Sequence, residues 1–124
     1  MKIIIVDDHE IYRKSLVKIV SKILPASYIK QANDGRQFLE LLSEGDKIDL
    51  AIVDIKMPVL GGIEATRLAR HLVPDLKVLG ISMYHSEENR RLMFAAGAAG
   101  FIWKGGDRNE IENAITTVLD EMCS

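Results

Sequence analysis

Cysteine is almost missing from this chain: among 124 residues the only thiol is Cys123. A single cysteine forms no internal disulfide and gives no thiolate cluster for a metal, which favours a reducing compartment, the cytoplasm. Proline is scarce too, and Pro25, Pro58 and Pro74 each stand where a regular element has to stop. Neither sign of charge dominates, since 16 Lys and Arg stand against 18 Asp and Glu for a net −2. That balance excludes a general basic field for nucleic acid or an anionic membrane. Apolar runs stay far below the roughly 20 residues a membrane span needs. Residues 1–6 turn acidic at once, so they make no signal-peptide core. No repeat, linker or low-complexity stretch divides the chain. What is present, 48% hydrophobic and 27% charged residues, suits one domain spanning 1–124.

Periodicity supplies the elements. Lys2–Val6 is a short β-branched strand. Tyr12, Leu16, Ile19, Val20 and Ile23 recur at helical spacing until Pro25. Residues 27–31 read as a weak edge strand, and Asn33-Asp34-Gly35 as a turn and N-cap for a helix carrying Phe38, Leu39, Leu41 and Leu42. Residues 49–53 form a strand apolar enough to be buried on both faces. Gly61-Gly62 opens a helix over 63–72, and residues 77–81 form a fourth strand. Ser86 caps a helix with Glu87 and Glu88 in its first turn, where the helix dipole favours acids. Residues 101–103 make a fifth strand, and Asp107 caps a last helix with Ile111, Ile115, Val118 and Met122 on one stripe. Five strand–helix units in alternation imply an α/β fold with parallel strands, right-handed crossovers and helices on both faces.

Such a sheet delivers its strand ends to one edge, where ligands bind. The first strand brings Asp7 and Asp8 there, the third Asp54, the fourth Ser82 and the fifth Lys104. Three crowded carboxylates repel one another unless a cation relieves them. The candidate ligands are all oxygen, which suggests Mg²⁺. A carboxylate can attack phosphorus to give an aspartyl phosphate. Lys104 and the Ser82 hydroxyl can contact the phosphoryl oxygens beside the metal. A flavin reading fails on the same loop, because Asp7-Asp8-His9-Glu10 repels a phosphate that lacks a metal.

Taken together, Asp7-Asp8, Asp54-x-x-Met57-Pro58, Gly62, Ser82 and Lys104 resemble the receiver domain of two-component response regulators over the whole chain. The resemblance implies a flavodoxin-like, CheY-like (βα)5 sandwich with strand order 2-1-3-4-5. It implies that a sensor histidine kinase phosphorylates Asp54. Asp8 and Asp54 would bind Mg²⁺ directly, Asp7 largely through water, and the backbone carbonyl of Lys56 would complete the ligands. Lys104 would pair with the phosphoryl group. Ser82 would move toward it, and Phe101 would repack, altering the surface of the fourth helix, fifth strand and fifth helix. Finer strings are similar to the NarL/FixJ subfamily: Asp7-Asp8-His9 with Arg13, Ile81-Ser82-Met83-Tyr84, and Gly97-Ala98-Ala99-Gly100-Phe101-Ile102 before Lys104. Members of that group usually carry a C-terminal helix-turn-helix domain that binds DNA. None is expected within these 124 residues.

The resemblance implies a switch and not a turnover enzyme, with at most slow self-dephosphorylation. Two other readings compete with it. A haloacid-dehalogenase-like phosphatase would need an acid at position 56, where Lys56 stands. A receiver-like module that is never phosphorylated would not need the full acid, hydroxyl and lysine set. His9, as a lone histidine in a loop, is expected to be structural, and the ammonium of Lys56 has no assigned task. Met83 is expected to narrow access to the site. The glycines Gly105-Gly106 after the lysine predict a mobile loop. Ile11, Val17 and Leu24 on the first helix, with Ala114 and Leu119 on the fifth, suggest weak homodimerisation through those two helices.

Overall fold

A computed structural model describes residues 1–122. Cys123, read above as a lone thiol, lies outside the described residues, as does the side chain of Met122. The elements run β1 (Lys2–Val6), α1 (Glu10–Ile23), β2 (Tyr28–Ala32), α2 (Gly35–Leu42), β3 (Leu50–Asp54), α3 (Gly62–Leu72), β4 (Lys77–Ser82), α4 (Glu87–Ala95), β5 (Gly100–Trp103) and α5 (Arg108–Met122). All strand pairs are parallel, and the order is β2-β1-β3-β4-β5, as the resemblance implied. The expected ranges differ from these by one or two residues at a few ends. β3 includes Asp54 and β4 includes Ser82, so both side chains are held by strand backbone.

Alternation along the strands divides the core in two. Ile4, Val6, Ala51, Val53 and Val78 face α2, α3 and α4, meeting Phe38, Leu42, Ala65, Ala69 and Met93. Ile3, Ile5, Leu50, Ile52, Leu79 and Ile81 face α1 and α5, meeting Leu16, Val20, Ile111, Ile115 and Val118. β1 and β3 are buried on both faces because helices cover both. This explains why their sequences are continuous apolar runs and do not alternate. Fully burying one such side chain stabilises the fold by about 1.5–3 kcal/mol.

The expected caps form. Asp34 accepts the backbone N–H of Gln37 at 2.8 Å, Ser86 that of Asn89 at 3.1 Å, and Asp107 that of Glu110 at 3.0 Å. His9 occupies the N-cap of α1 without a side-chain capping bond, which leaves its ring available elsewhere. The apolar residues expected on a dimer face are mostly spent inside the molecule. Val17, Leu24, Ala114 and Leu119 pack on the α1–α5 side of the core, and only Ile11 of that set is largely exposed, at 89%. Among the described residues no helix is long and apolar enough to cross a membrane.

Candidate functional site

The C-terminal ends of β1, β3, β4 and β5 bring Asp7, Asp54, Ser82 and Lys104 to one edge of the sheet. Asp7 is fully buried, and Asp54 and Ser82 nearly so. Backbone bonds fix their positions. The N–H of Asp7 donates to the carbonyl of Ala32 at 3.0 Å, that of Ile55 to Ile81 at 3.1 Å, and that of Lys104 to Ser82 at 2.7 Å. Arg13, one turn into α1, holds the acidic loop from outside. Its Nη1 donates to the Asp7 carbonyl at 2.8 Å and its Nε to Gln31 Oε1 at 2.9 Å.

The loop after β3 turns back sharply to let α3 start beside Asp54. The N–H of Gly62 donates to the Ile55 carbonyl at 2.8 Å, and a Cβ on Gly62 would sit 2.0 Å from the Asp54 carbonyl oxygen. No real side chain fits there, which is the physical reason for glycine eight residues after the aspartate. Within the same loop, the N–H of Leu60 donates to the carbonyl of Pro58 at 2.7 Å, and Val59 between them has φ 69°. A three-residue turn with a β-branched centre at positive φ is rare and strained.

Lys104 projects its ammonium among the acids. Nζ lies 2.8 Å from Asp7 Oδ2 and 3.3 Å from Asp54 Oδ2, with the side chain only 5% exposed. The contact to Asp7 is a close ion pair without hydrogen-bond alignment, so buried Oδ2 has no hydrogen bond. Nζ also sits 4.7 Å from the ring centre of Tyr12, a cation–π contact. Burial pushes the Asp54 carboxyl up to about 6; the charge of Asp7 adds to this, Lys104 opposes it, and Asp8 adds a smaller push. Burial, with Asp7 and Asp54 nearby, likewise pushes the Tyr12 phenol up to about 12.

Asp7, Asp8, His9 and Asp54 each offer one ligand atom, and these atoms lie within 4.8 Å of one another. Three carboxylates with one hydrogen-bond-free buried oxygen fit a hard divalent cation such as Mg²⁺. Over Asp54 is a cleft of about 100 Å³ lined by His9, Lys56, Ser82, Met83, Tyr84 and Lys104. Met83, expected to narrow access, is one of the residues lining this cleft.

The sequence matches the response regulator receiver domain over residues 3–116. The chain belongs to this family. It is 34% identical over 119 residues to the response regulator GacA of Pseudomonas aeruginosa, covering 96% of this chain and 55% of that protein. A LuxR-family two-component response regulator from Aurantimonas superposes with a TM-score of 0.89 at 30% identity, over 97% of this chain and 85% of that one. The receiver domain of a NarL regulator from Mycobacterium tuberculosis gives 0.83 at 28%, over 93% and 92%. The match to these regulators supports the NarL/FixJ branch named from the loop motifs. The chain spans about half the length of the curated relative it matches here.

In this receiver Asp7, Asp8, Asp54, Ser82 and Lys104, the residues singled out from strand-end positions, all reach the same edge. Lys56 joins them from the loop, its ammonium 4.6 Å from the Tyr84 ring centre, which gives that charge a partner over the cleft. Ser82 Oγ accepts the Tyr84 backbone N–H at 3.1 Å, leaving its own proton free to donate. Phe101 is half-buried beside Met93. Each would touch a Cβ added to Gly80, at 2.9 Å, so the glycine makes room for both. Phe101 lines two cavities, of about 180 and 280 Å³.

His9, expected from the sequence to be structural, lies against the site acids. Its Nδ1 lies 3.3 Å from Asp7 Oδ1, 3.4 Å from Asp8 Oδ1 and 3.4 Å from Lys104 Nζ. Gly105 also gains a reason beyond mobility: a Cβ there would strike the Trp103 indole at 2.8 Å.

Proposed function

We propose that Asp54 is the phosphoacceptor of a phosphorylation switch driven by a sensor histidine kinase. The observation that carries this reading is Asp54 itself: nearly buried, with Oδ2 3.3 Å from Lys104 Nζ, and lining the cleft that Ser82 shares. A carboxyl at about 6 is more basic than an ordinary aspartate yet mostly ionised at pH 7, which suits a nucleophile. An Asp54 oxygen forms a bond to the phosphorus of the donor phosphohistidine. The phosphorus–nitrogen bond breaks, and its electron pair stays on the imidazole.

Asp7, Asp8 and Asp54, with the backbone carbonyl of Lys56, would hold Mg²⁺. When bound, that ion supplies neutralising charge to the attacking and phosphoryl oxygens. Lys104 leaves its contact with Asp7 to meet the phosphoryl group, and the Ser82 hydroxyl donates to another phosphoryl oxygen. The shift of Ser82 frees Phe101 to move between the two cavities it lines and remodel α4, β5 and α5. The chain then passes on a signal without turning over substrate, apart from slow self-dephosphorylation. The reading implies a cytoplasmic setting, and a DNA-binding output segment under the receiver's control, as in the NarL/FixJ group. Weak self-association through α1 and α5 belongs to the same proposal and would rest on exposed Ile11.

Acetyl phosphate or a kinase with Mg²⁺ should label the wild type with acid-labile, hydroxylamine-sensitive phosphate. Asp54→Asn should take no label. Labelling of Asp54→Asn to the wild-type level would overturn the assignment.

A further inference from the structure

His9 sits on the lip of the acidic cluster with a ring nitrogen that has no settled partner. Its two carboxylate neighbours, Asp7 Oδ1 and Asp8 Oδ1, lie at 3.3 and 3.4 Å, and the Lys104 ammonium at 3.4 Å. These are long for hydrogen bonds. Asp7 Oδ1 already accepts the backbone N–H of His9 at 2.9 Å. The side chain caps nothing and is 56% exposed, so neither packing nor capping accounts for where the ring lies.

The donor spacing fits a different use. Ligand atoms about 2.1 Å from one ion stand roughly 3.0–4.2 Å apart, depending on geometry. The separations from Nδ1 to the two acids fall in that range. A second observation concerns the same acids: Asp7 Oδ2 is buried without a hydrogen bond, its one charge partner being the Lys104 ammonium at 2.8 Å, which the proposed switch draws away toward the phosphoryl group.

We infer that His9 is a further protein ligand of the metal site, and that it tilts the site from Mg²⁺ toward borderline transition ions such as Co²⁺, Ni²⁺ and Zn²⁺. Mg²⁺ favours oxygen and gains little from an imidazole, whereas the borderline ions bind imidazole well. This inference rests on the metal-binding reading given above. It goes beyond that reading by adding a nitrogen to an all-oxygen site, which decides which ions load a receiver that Mg²⁺ also fits. An imidazole ligand must be neutral at the metal, so Nδ1 offers its lone pair and the opposite nitrogen keeps the proton.

The test is calorimetric titration of the wild type, His9→Ala, His9→Gln and Asp8→Asn with Co²⁺ and Mg²⁺ separately. Visible absorption of Co²⁺ reports exchange of oxygen for imidazole among the ligands. His9→Ala and His9→Gln should each weaken Co²⁺ binding by about tenfold or more. They should leave Mg²⁺ affinity within about twofold. The Co²⁺ spectrum should change with them. Asp8→Asn should weaken both ions. Equal effects of the His9 variants on the two ions, or none on Co²⁺, would sink the inference while leaving the Mg²⁺ reading intact. Mg²⁺ binding that Asp8→Asn leaves untouched would instead sink the metal reading itself. Co²⁺ binding that survives Asp8→Asn would place that ion elsewhere and also overturn the inference. Thermal melts without metal keep the comparison to variants that fold.

Discussion

The middle of the sheet and its C-terminal lip are only a few residues apart along the same strands, yet they obey opposite rules. In the middle, Ile3, Ile4, Ile5, Leu50, Ala51, Ile52 and Val53 are all fully buried and all apolar. Every local preference there agrees with the fold. At the lip, Asp7, Asp54 and Ser82 are as buried as the core, yet polar. One carboxylate oxygen lacks a hydrogen bond, one valine holds a positive φ, and one glycine touches backbone. Stability built in the middle is given up at the lip, where the same burial raises the basicity of Asp54 and keeps water from competing for it. The two regions should therefore answer substitution in opposite directions.

The largest effect belongs to the middle. Ile52→Ala removes a fully buried side chain from the core beneath α1 and α5 and leaves a cavity behind. Denaturant unfolding should show a loss of about 2–5 kcal/mol. Phosphate labelling of the folded fraction should persist, because the Ile52 side chain belongs to the apolar core and not to the acidic edge. A loss below about 1 kcal/mol would mean that the core relaxes around the gap, and the contrast between regions would weaken.

How much of this could be read from the sequence follows the same division. The middle was legible because its signals are local. Continuous apolar runs, helical spacing, and Asp34 and Ser86 before their helices gave all ten elements within a residue or two. Asp7, Asp54, Ser82 and Lys104 were legible as a group because strand ends share an edge, whichever loops lie between. What escaped depends on where loops meet through space. Nothing in the string Ile55-Lys56-Met57 says that the Lys56 ammonium lies over Tyr84, since that contact joins two loops 28 positions apart. His9 looked like an ordinary loop histidine until the fold put Lys104 and both acids around it. The apolar residues of α1 and α5 looked spare on a two-dimensional wheel, but packing of the two helices on the sheet covers most of them. Val59 gave no warning either, because β-branched residues argue against the conformation it adopts.

The next effect belongs to the lip and should have the opposite sign. Asp54 binds its proton up to about pH 6 in the fold, against 3.8 for an ordinary aspartate. Between those values the folded protein holds a proton that the unfolded chain has released. Its stability therefore falls as pH rises through this window, and the full cost is present above pH 6. Asp54→Asn removes the titration. Without divalent ions it should gain up to roughly 3 kcal/mol at pH 7 and little or nothing below pH 4. Paired unfolding curves at the two pH values check this. A variant no more stable than wild type at pH 7 would show that Lys104 already neutralises the buried charge. The lip would then be less strained than its burial suggests.

The smallest effect isolates backbone strain from charge. Val59 sits at φ 69° in the turn closed by Leu60 and Pro58, with its side chain 76% exposed. It contributes little burial, so replacing it costs little packing. Glycine adopts that φ freely, although it adds disorder to the unfolded chain, which offsets part of the gain. Val59→Gly should therefore stabilise the protein by about 1 kcal/mol, the low end for a strained non-glycine residue. Because no charge changes, the gain should be the same at pH 4 and pH 7, unlike that of Asp54→Asn. A gain that tracks pH would tie the turn to the acidic cluster at the strand ends. No gain at either pH would mean that the valine side chain holds the turn by packing on Leu60 and α2, and the strain at the lip would then reside in the charges alone.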